Sequence, residues 1–366
     1  MKTLFLILLI IVLACSLIIS SCAQSAPGSV PGSPTASAEP IKLKLAHPAP
    51  PVTVFHKAIF EPWAKMIKER TTAIGKPVEI SIFPGGSLAK HDDQYKAVQT
   101  GITDIGPMIT TEDFVGGGGL VSVMELPLQF SSSTIAAQVA QELYDTIPEV
   151  KDETSNVKLL WFHPTGPGHI QASTKQIKTL EDMQGQKVWC KGGGITIDIL
   201  EALGAVPVGM PITEGYIALE RGIMDIGLVQ WEGAFSFKWY EVTKYRTSLP
   251  RGLWLDLLSA TMNWDSWNSL PPDVQEIFEE LSGEYMSILS GEAFDEADMH
   301  CCDLIMEYDK EVGNPEIYSL PEDEFLRWKE ALNPVYEKWI KDMEDKGLPG
   351  REVYETTCSL IEKYSK

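Results

Sequence analysis

One twelve-residue pattern occurs twice in this sequence, and it limits the possible folds more than any other feature. YKAVQTGITDIG begins at Tyr95, and YIALERGIMDIG begins at Tyr216, 121 residues later. Both segments read Tyr-x-Ala-apolar-x-x-Gly-Ile-x-Asp-Ile-Gly. The pattern predicts a helix that ends at a glycine, followed by an aspartate and a short buried strand.

The segments before each copy also follow one order of predicted elements, strand, helix and strand. They are IKLKLAH, FHKAIFEPWAKMIKERT and VEISIFPGG in the first half, and QKVWCK, ITIDILEALG and AVPVGMP in the second. The chain therefore contains a βαβαβ unit twice, which predicts two α/β lobes with helices on the faces of two parallel-rich sheets. Because ligands of such sheets bind beyond the carboxyl ends of the strands, two facing lobes predict a cleft.

The C-terminal part of the chain is predicted to be helical. Residues 271–313 keep a three-four apolar spacing between Pro272 and Gly313, which indicates one helix of about 55–60 Å that spans both lobes. Residues 322–347 predict two further helices, separated near Pro334. A long rigid helix across both lobes suits a hinged protein, and we expect the hinge near residues 165 and 254.

The N-terminus has the layout of a secretory signal peptide. One lysine precedes an apolar run from Leu4 to Ile19, and small residues lead to Cys22. The ISSC sequence that ends at Cys22 resembles a bacterial lipobox, which predicts cleavage before this residue and a lipid on its sulfur. A retained transmembrane anchor is the alternative, since the run approaches the roughly 20 residues of a membrane span. Either way, the folded part lies in the periplasm or cell envelope, tethered to a membrane; whether that is the inner or the outer one stays open.

The composition after the signal peptide predicts where folding begins. The stretch after Cys22 up to residue 40 has no aromatic residue and one charge, so it is predicted to be a flexible tether. The chain from residue 41 exceeds one ordinary core and predicts two lobes. The predicted parts are a signal peptide at 1–21, a tether at 22–40, lobe I at 41–165 plus about 255–292, and lobe II at 166–254 plus about 293–366.

Charge and cysteine spacing exclude several classes of partner. A formal net charge of −21 argues against nucleic acid and against an anionic membrane surface. The cysteines of the folded part, Cys190, Cys301, Cys302 and Cys358, form no CxxC pair, and the six histidines are not at metal-binding spacing. A bridge from Cys358 to Cys301 or Cys302 and buried free thiols both remain open.

Motifs of catalysis and of nucleotide binding are also missing from the sequence. It contains neither Gly-x-Ser-x-Gly nor His-Glu-x-x-His. The glycines in KVWCKGGG, Lys187–Gly194, suggest a phosphate loop, but the following GGGIT lacks the Gly-Lys-Ser/Thr of a Walker motif. We therefore predict a binding protein without a catalytic site, metal or cofactor.

Taken together, the segments from residue 41 onward resemble the extracytoplasmic solute-binding proteins of TRAP transporters, of the DctP type. The likeness rests on the order and spacing of LKLAHPAPP, VEISIFPGGSL, AVQTGITDIG, LPLQF, LEDMQGQKV, LGAVPVGMPITEGYIALERGIMD, KWYEVTKY and the C-terminal helices. The resemblance implies a two-lobed α/β periplasmic-binding-protein (Venus-flytrap) architecture. It also implies that the protein closes on one small molecule and delivers it to a membrane permease.

The resemblance implies a particular ligand grip, from which this sequence departs. In the family the ligand is usually an organic acid, and a strand motif like Gly-x-Lys-apolar-Arg supplies an arginine that binds its carboxylate. Here GQKVW places Trp189 at the arginine position, and a second basic position corresponds to His169. Indole cannot form a two-pronged salt bridge. Lys191 shares a strand face with Trp189, so it is either a replacement cation or a solvated loop end.

Further candidate ligand contacts follow the predicted strands of both lobes. They are His47, Met108, Met210, Trp231, Phe235 and Trp254. Such a cleft is more aromatic and less cationic than an ordinary organic-acid site. It suits an acid with an apolar or aromatic body, which we favour, or a cationic amine or quaternary ammonium in an aromatic cage with Glu232 or Glu214 as counter-charge. A neutral polar ligand stays open as well, as does a role as the binding lipoprotein of an ATP-driven importer.

Overall fold

A computed structural model describes residues 39–108, 119–191 and 193–366, apart from the side chain of Asp92. The predicted signal peptide at 1–21, the lipidation site Cys22 and most of the tether lie outside the described residues. In the part of the chain that is described, no helix combines the length and the apolar character needed to cross a membrane.

The described strands form two mixed sheets. The strands are β1 (Ile41–Ala46), β2 (Val78–Phe83), β3 (Ile105–Met108), β4 (Lys158–Phe162), β5 (His169–Ala172), β6 (Lys187–Cys190), β7 (Val206–Gly209), β8 (Ile226–Val229), β9 (Tyr245–Ser248), β10 (Ser259–Met262) and β11 (Tyr318–Ser319). The first sheet has the order β2-β1-β3-β10-β4, and the second has the order β11-β9-β5-β8-β6-β7. Two sheets flanked by helices confirm the predicted α/β fold class.

The repeated pattern makes the same structure in each sheet. Strand β1 pairs in parallel with β2 and β3, and β6 pairs in parallel with β7 and β8. Asp104 accepts a hydrogen bond from the backbone N–H of Lys44 at 2.7 Å, and Asp225 accepts the corresponding bond from Lys187 at 3.0 Å. The first glycine of the pattern, Gly101 in one copy and Gly222 in the other, has a positive φ. This conformation is the usual one just after the C-terminus of a helix. The predicted βαβαβ unit is therefore present twice.

The described chain crosses three times between the sheets, and each of the first two crossings leads to an antiparallel strand inside the sheet that it enters. Strand β5 lies between β8 and β9, and β10 lies between β3 and β4. The connecting segments, 163–168 and 249–258, pair with each other: Gly168 N–H donates to the Trp254 carbonyl at 2.8 Å. A Cβ on Gly252 would lie 2.4 Å from the Cβ of Pro167, so this close approach requires glycine. The predicted hinge lies in these paired segments.

Helices cover both sheets. They are α1 (Glu61–Ala73), α2 (Gln94–Gln99), α3 (Ser133–Thr146), α4 (Pro148–Asp152), α5 (Ile195–Ala202), α6 (Gly215–Glu220), α7 (Trp231–Ser236), α8 (Trp239–Val242), α9 (Trp264–Ser269), α10 (Pro272–Glu280), α11 (Gly283–Val312), α12 (Glu322–Ala331), α13 (Asn333–Asp345) and α14 (Gly350–Tyr364). Short 3₁₀ segments include Leu120–Glu125, and a π-helical turn, Phe55–Phe60, leads into α1.

The single helix predicted for 271–313 is wrong in its first third. The segment forms α10 and then α11, because Ser282 adopts an extended conformation and Gly283 has a φ of +52°. Helix α11 still has 30 residues, or about 45 Å, and ends at Gly313 as predicted. The predicted break near Pro334 is confirmed between α12 and α13, whereas α14 was not predicted.

Two carboxylates one turn apart tie α11 to other helices. Asp295 accepts bonds from the backbone N–H groups of Ser133 and Thr134 at the start of α3. Asp298 accepts a bond from the backbone N–H of Glu232 in α7 at 2.8 Å. Helix α11 therefore holds the N-termini of helices that belong to different parts of the chain. The boundaries of the two lobes stay a prediction.

Candidate functional site

The carboxyl ends of the parallel strands bring most of the predicted ligand contacts to the edges of the two sheets. His47 follows β1 and Met108 ends β3 in the first sheet. The second sheet contributes Lys191 after β6, Met210 after β7, Trp231 after β8, and His169, which pairs with Val229 at the end of β8. Trp254 lies on the second connecting segment. This is the position where α/β sheets bind ligands.

Trp189 is part of a buried aromatic wall. Its ring lies 6.0 Å from the ring of Trp254 and 5.3 Å from the ring of Trp239, measured between centroids. Its indole N–H donates to the Met210 carbonyl at 3.0 Å, so this polar group is already satisfied. Trp189 thus presents an apolar surface whose single donor is used internally.

Trp239 was missed by the sequence analysis, although the repeat contains a signal for it. A Cβ on Gly227, the last residue of the second copy, would lie 2.5 Å from the Trp239 ring, and one on Gly215 would lie 2.1 Å from it. The two glycines therefore make room for the indole that packs against Trp189.

His169 provides an uncharged donor. The backbone N–H of Leu249 donates to its Nδ1 at 3.3 Å, so in the neutral ring the hydrogen is on Nε2. Burial lowers the pKa of His169 to about 4, which keeps the ring neutral at pH 7. The ring stacks on Trp231 with a centroid distance of 4.8 Å. His169 is thus a fixed, uncharged N–H donor.

Lys191 is bound by two carboxylates. Its Nζ lies 2.7 Å from Oε1 of Glu125 and 3.0 Å from Oδ1 of Asp256. The Glu125 side chain has no exposed surface, and that of Lys191 is 12% exposed. The ammonium also lies 5.8 Å from the centroid of the Trp254 ring. Lys191 is therefore not a solvated loop end, and the cluster of these three charged side chains has a formal charge of −1.

Sequence reasoning selected neither acid of this cluster. Glu125 ends the 3₁₀ segment Leu120–Glu125, and Asp256 lies on a connecting segment. Neither belongs to a motif or to a periodic pattern that marks buried charge. Only the way the chain crosses between the sheets brings them to Lys191.

The edge of the first sheet carries buried histidines. Nε2 of His47 lies 2.9 Å from Nδ1 of His56, and Nε2 of His56 lies 3.1 Å from Oε1 of Glu61. Burial, together with the neighbouring His56, lowers the pKa of His47 to about 4. His56 lies on the π-helical turn, a geometry that occurs often at functional sites. His47 is thus held in place at the end of β1.

His163 is the least satisfied side chain of this edge. It is fully buried, and both ring nitrogens lack a hydrogen-bond partner among the described residues. Its ring lies 5.2 Å from that of Phe55 and 5.9 Å from that of Phe60, both in edge contact. Burial lowers the pKa of His163 to about 3, so the ring is neutral.

The remaining candidates differ in how far their side chains are buried. Phe235 is half-buried and stacks on Tyr240 at 5.2 Å, and Met108 is fully buried in the apolar core. Burial raises the pKa of Glu232, which accepts a bond from the Ser236 hydroxyl at 2.6 Å. Glu214 is exposed. Of the two proposed counter-charges for a cation, Glu232 is therefore the buried one.

No group of three His, Cys, Asp or Glu residues suited to a metal ion occurs in the described part of the chain. Within the same residues, no disulfide bond joins Cys301, Cys302 or Cys358. Burial raises the pKa of Cys301 to about 12 and that of Cys302 to about 11, so both are thiols at neutral pH.

Comparison with known proteins gives consistent matches. The model of the DctP family, described as bacterial extracellular solute-binding protein family 7, matches residues 45–342. A C4-dicarboxylate-binding periplasmic protein DctP of Rhodobacter capsulatus is 27% identical over 311 residues, which is 83% of this chain and 87% of that protein.

Two solved structures have similar folds at a TM-score of 0.81 and 26% identity. One is a TRAP solute-binding protein of Rhodoferax ferrireducens in complex with copurified benzoate, matched over 89% of this chain and 98% of that one. The other is a marine metagenome TRAP solute-binding protein specific for aromatic acid ligands, with bound metahydroxyphenylacetate, matched over 89% of this chain and 100% of that one.

Proposed function

Because this chain belongs to the DctP family of bacterial extracellular solute-binding proteins, we propose that it captures one small organic acid with an apolar or aromatic body. It delivers this acid to the membrane permease of a TRAP transporter. The protein acts by binding, without catalysis, and a lipid on Cys22 holds it at the membrane. The family match favours this role over the ATP-driven importer considered from the sequence.

The observation that carries the proposal is a set of aromatic side chains beside a neutral N–H donor at the carboxyl edge of the second sheet. Trp189 and Trp254 form an apolar wall whose ring planes are 36° apart, and His169 supplies a neutral donor beside Trp231. Such a surface suits the ring of an aromatic acid by stacking. The two similar solved proteins, which bind benzoate and metahydroxyphenylacetate, support this ligand class.

Capture requires the two sheet edges to close on the ligand. The paired connecting segments 163–168 and 249–258 lie between the sheets and supply the hinge. A ligand that contacts both edges stabilises the closed form relative to the open one. Small-angle scattering should then show compaction on ligand binding, and an unchanged radius of gyration with saturating ligand contradicts the hinge.

Native mass spectrometry of the purified protein tests the ligand class directly, because a closed receptor retains its ligand. We expect a retained organic acid of low mass that is released on denaturation. A calorimetric titration with benzoate, phenylacetate, succinate and choline then compares the classes. Tight binding of choline with no binding of any acid would refute the proposal.

A cationic ligand is the second candidate, and one observation favours it. Lys191 lies between Glu125 and Asp256, so the cluster beside Trp254 has a formal charge of −1. Aromatic faces next to net negative charge suit an amine or a quaternary ammonium. The choline titration separates this candidate from the organic acid.

A further inference from the structure

We propose that the protein has a second binding site, apart from the candidate ligand contacts, for a small oxyanion with two or more negative charges. The site is a cavity of about 540 Å³ that is lined by the connecting segment 249–258, the segment 126–130 and the helices α12, α13 and α14. None of the candidate ligand contacts named above lines it. It is called the Arg251 cavity below.

Two cations of the Arg251 cavity are available to a ligand. Arg251 lies on the connecting segment 249–258 and Lys329 lies on α12, and both are exposed. Neither side chain takes part in a hydrogen bond or an ion pair among the described residues. A guanidinium binds two oxygens of one oxyanion at once, and an ammonium adds a point charge. Together the two side chains suit an anion with more than one negative charge.

The lining of the cavity is positive although the whole protein has a formal net charge of −21. Glu362 is the one carboxylate side chain of the lining among the described residues. Arg251 and Lys329 outnumber it even without Lys366, which also lines the cavity. A cleft with an excess of one sign of charge attracts ligands of the opposite sign. The acidic surface elsewhere therefore does not exclude an anion here.

The two cations act on buried groups in the wall of the cavity. Burial raises the pKa of the Tyr336 hydroxyl, and the positive charge of Arg251 opposes this rise. Burial also raises the pKa of the Cys358 thiol, and Lys329 opposes that rise. The ring of Tyr336 lies 5.8 Å from the ring of Tyr354, measured between centroids. The cavity thus combines cations with an apolar wall, beside which their attraction for an anion is stronger than in bulk water.

Hydrogen bonds fix the wall of the cavity to the segment that carries Arg251. The N–H of Leu128 donates to the Leu253 carbonyl at 3.4 Å, and the N–H of Gly252 donates to the Phe130 carbonyl at 3.1 Å. Leu128 has a φ of +55°, a costly conformation for a residue with a side chain, and such strain is concentrated at functional sites. An anion bound to Arg251 would therefore contact the predicted hinge directly.

Calorimetric titration of the full-length protein in mild detergent tests the site with phosphate, citrate and acetate. We expect phosphate or citrate to bind with a Kd below about 1 mM, and acetate, which has one charge, to bind at least about tenfold more weakly. Tighter binding of phosphate identifies an inorganic oxyanion as the ligand, and tighter binding of citrate identifies a polycarboxylate.

Substitution of the two cations locates the bound anion. Arg251→Gln and Lys329→Gln should each weaken binding of the preferred anion by about tenfold or more. The matched control is Lys96→Gln, which removes an exposed lysine of α2 that does not line the cavity. This control should change the affinity by less than about twofold, because salt screens distant charges. Thermal unfolding of the three variants verifies that each is folded.

A salt titration of the wild-type protein is a second measurement that needs no variant. Raising NaCl from about 50 mM to about 500 mM should weaken anion binding by about tenfold or more, since two solvated cations hold the ligand. The inference is overturned if neither phosphate nor citrate binds at about 10 mM, or if the affinity does not depend on salt. Equal affinities of wild type, Arg251→Gln and Lys329→Gln also overturn it, because the anion then binds elsewhere.

Discussion

Lys191 and Glu125 form a salt bridge of 2.7 Å in which the carboxylate side chain is completely buried. The pair joins the end of β6 to the 3₁₀ segment Leu120–Glu125, and the two residues are 66 positions apart in the chain. A buried charge depends on its partner far more than an exposed one does, because the solvent cannot replace it. The contribution of this pair to the free energy of unfolding can therefore be measured by substitution.

Removing the ammonium should destabilise the protein strongly. Lys191→Met leaves Glu125 buried without its cation, and we expect the free energy of unfolding to fall by about 3 kcal/mol. Urea denaturation followed by tryptophan fluorescence measures the change. Lys338→Met is the matched control, since Lys338 is 55% exposed and pairs with Asp198 and Asp342 at the surface.

Lys338→Met should lower the free energy of unfolding by less than about 1 kcal/mol, because exposed ion pairs contribute little to stability. Adding Glu125→Gln to Lys191→Met should recover part of the loss, because the buried negative charge is then gone. Additive losses in the double variant contradict a direct interaction between the two side chains.

Substitution of Trp189, which we propose to occupy the family arginine position, should change ligand preference. Trp189→Arg introduces a guanidinium that binds a carboxylate in two-pronged fashion and removes one ring of the aromatic wall. We expect succinate to bind on the order of tenfold more tightly and benzoate to bind more weakly, as measured by calorimetry. Trp189→Phe, which keeps a ring and adds no charge, should show no gain for succinate. Unchanged selectivity in Trp189→Arg means that Trp189 does not occupy the grip position.

His163 should make the stability of the protein depend on pH. Its pKa is about 3 in the folded protein and 6.5 ordinarily, so between these values the unfolded chain binds a proton that the folded protein does not. The contribution of the neutral His163 ring to the free energy of unfolding is thus retained above pH 6.5 and lost as the pH falls toward 3. Relative to His163→Phe, the wild-type free energy of unfolding should fall by up to about 1.4 kcal/mol per pH unit below pH 6.

Urea denaturation of both proteins at pH 7.5, 6.5, 5.5 and 4.5 measures this difference. His47 and His169 also have lowered pKa values, but they are present in both proteins and cancel. A difference that stays constant across the four pH values contradicts the buried neutral state of His163.

The junction between α11 and α3 depends on one carboxylate. Asp295 accepts from the hydroxyls of Ser132 and Thr134 at 2.7 Å, in addition to the two backbone N–H groups. We expect Asp295→Ala to lower the free energy of unfolding by about 1–2 kcal/mol, the usual cost of a lost helix cap. Glu296→Gln, on the neighbouring position, should change it by less than about 0.5 kcal/mol. Equal effects of the two variants in urea denaturation contradict a capping role.

Local periodicity was sufficient to predict the parallel part of both sheets. The repeated helix, glycine, aspartate and strand depend on neighbours within the segment, so Asp104 and Asp225 take equivalent places. The end of α11 at Gly313 was predictable for the same reason. The break before Gly283 was not, because the apolar spacing continues through it and only the backbone conformation changes there.

The candidate site was predictable only in part. Residues that follow parallel strands, such as His47 and Trp231, could be named because the carboxyl edge of a parallel sheet is fixed by the order of its elements. Trp189 and His169 were named from the family resemblance. Glu125 and Asp256 could not be named, since their contact with Lys191 depends on how distant segments meet. These buried ion pairs could therefore be found only from the structure.

The position of β10 in the first sheet limits how the chain can be cut into fragments that fold. A fragment that stops at residue 165 contains β3 and β4 but lacks β10, the strand that lies between them. The complementary fragment keeps β10 without the sheet that surrounds it. Each fragment would thus expose unpaired strand edges. The first sheet is therefore completed only when segments from both halves of the chain come together.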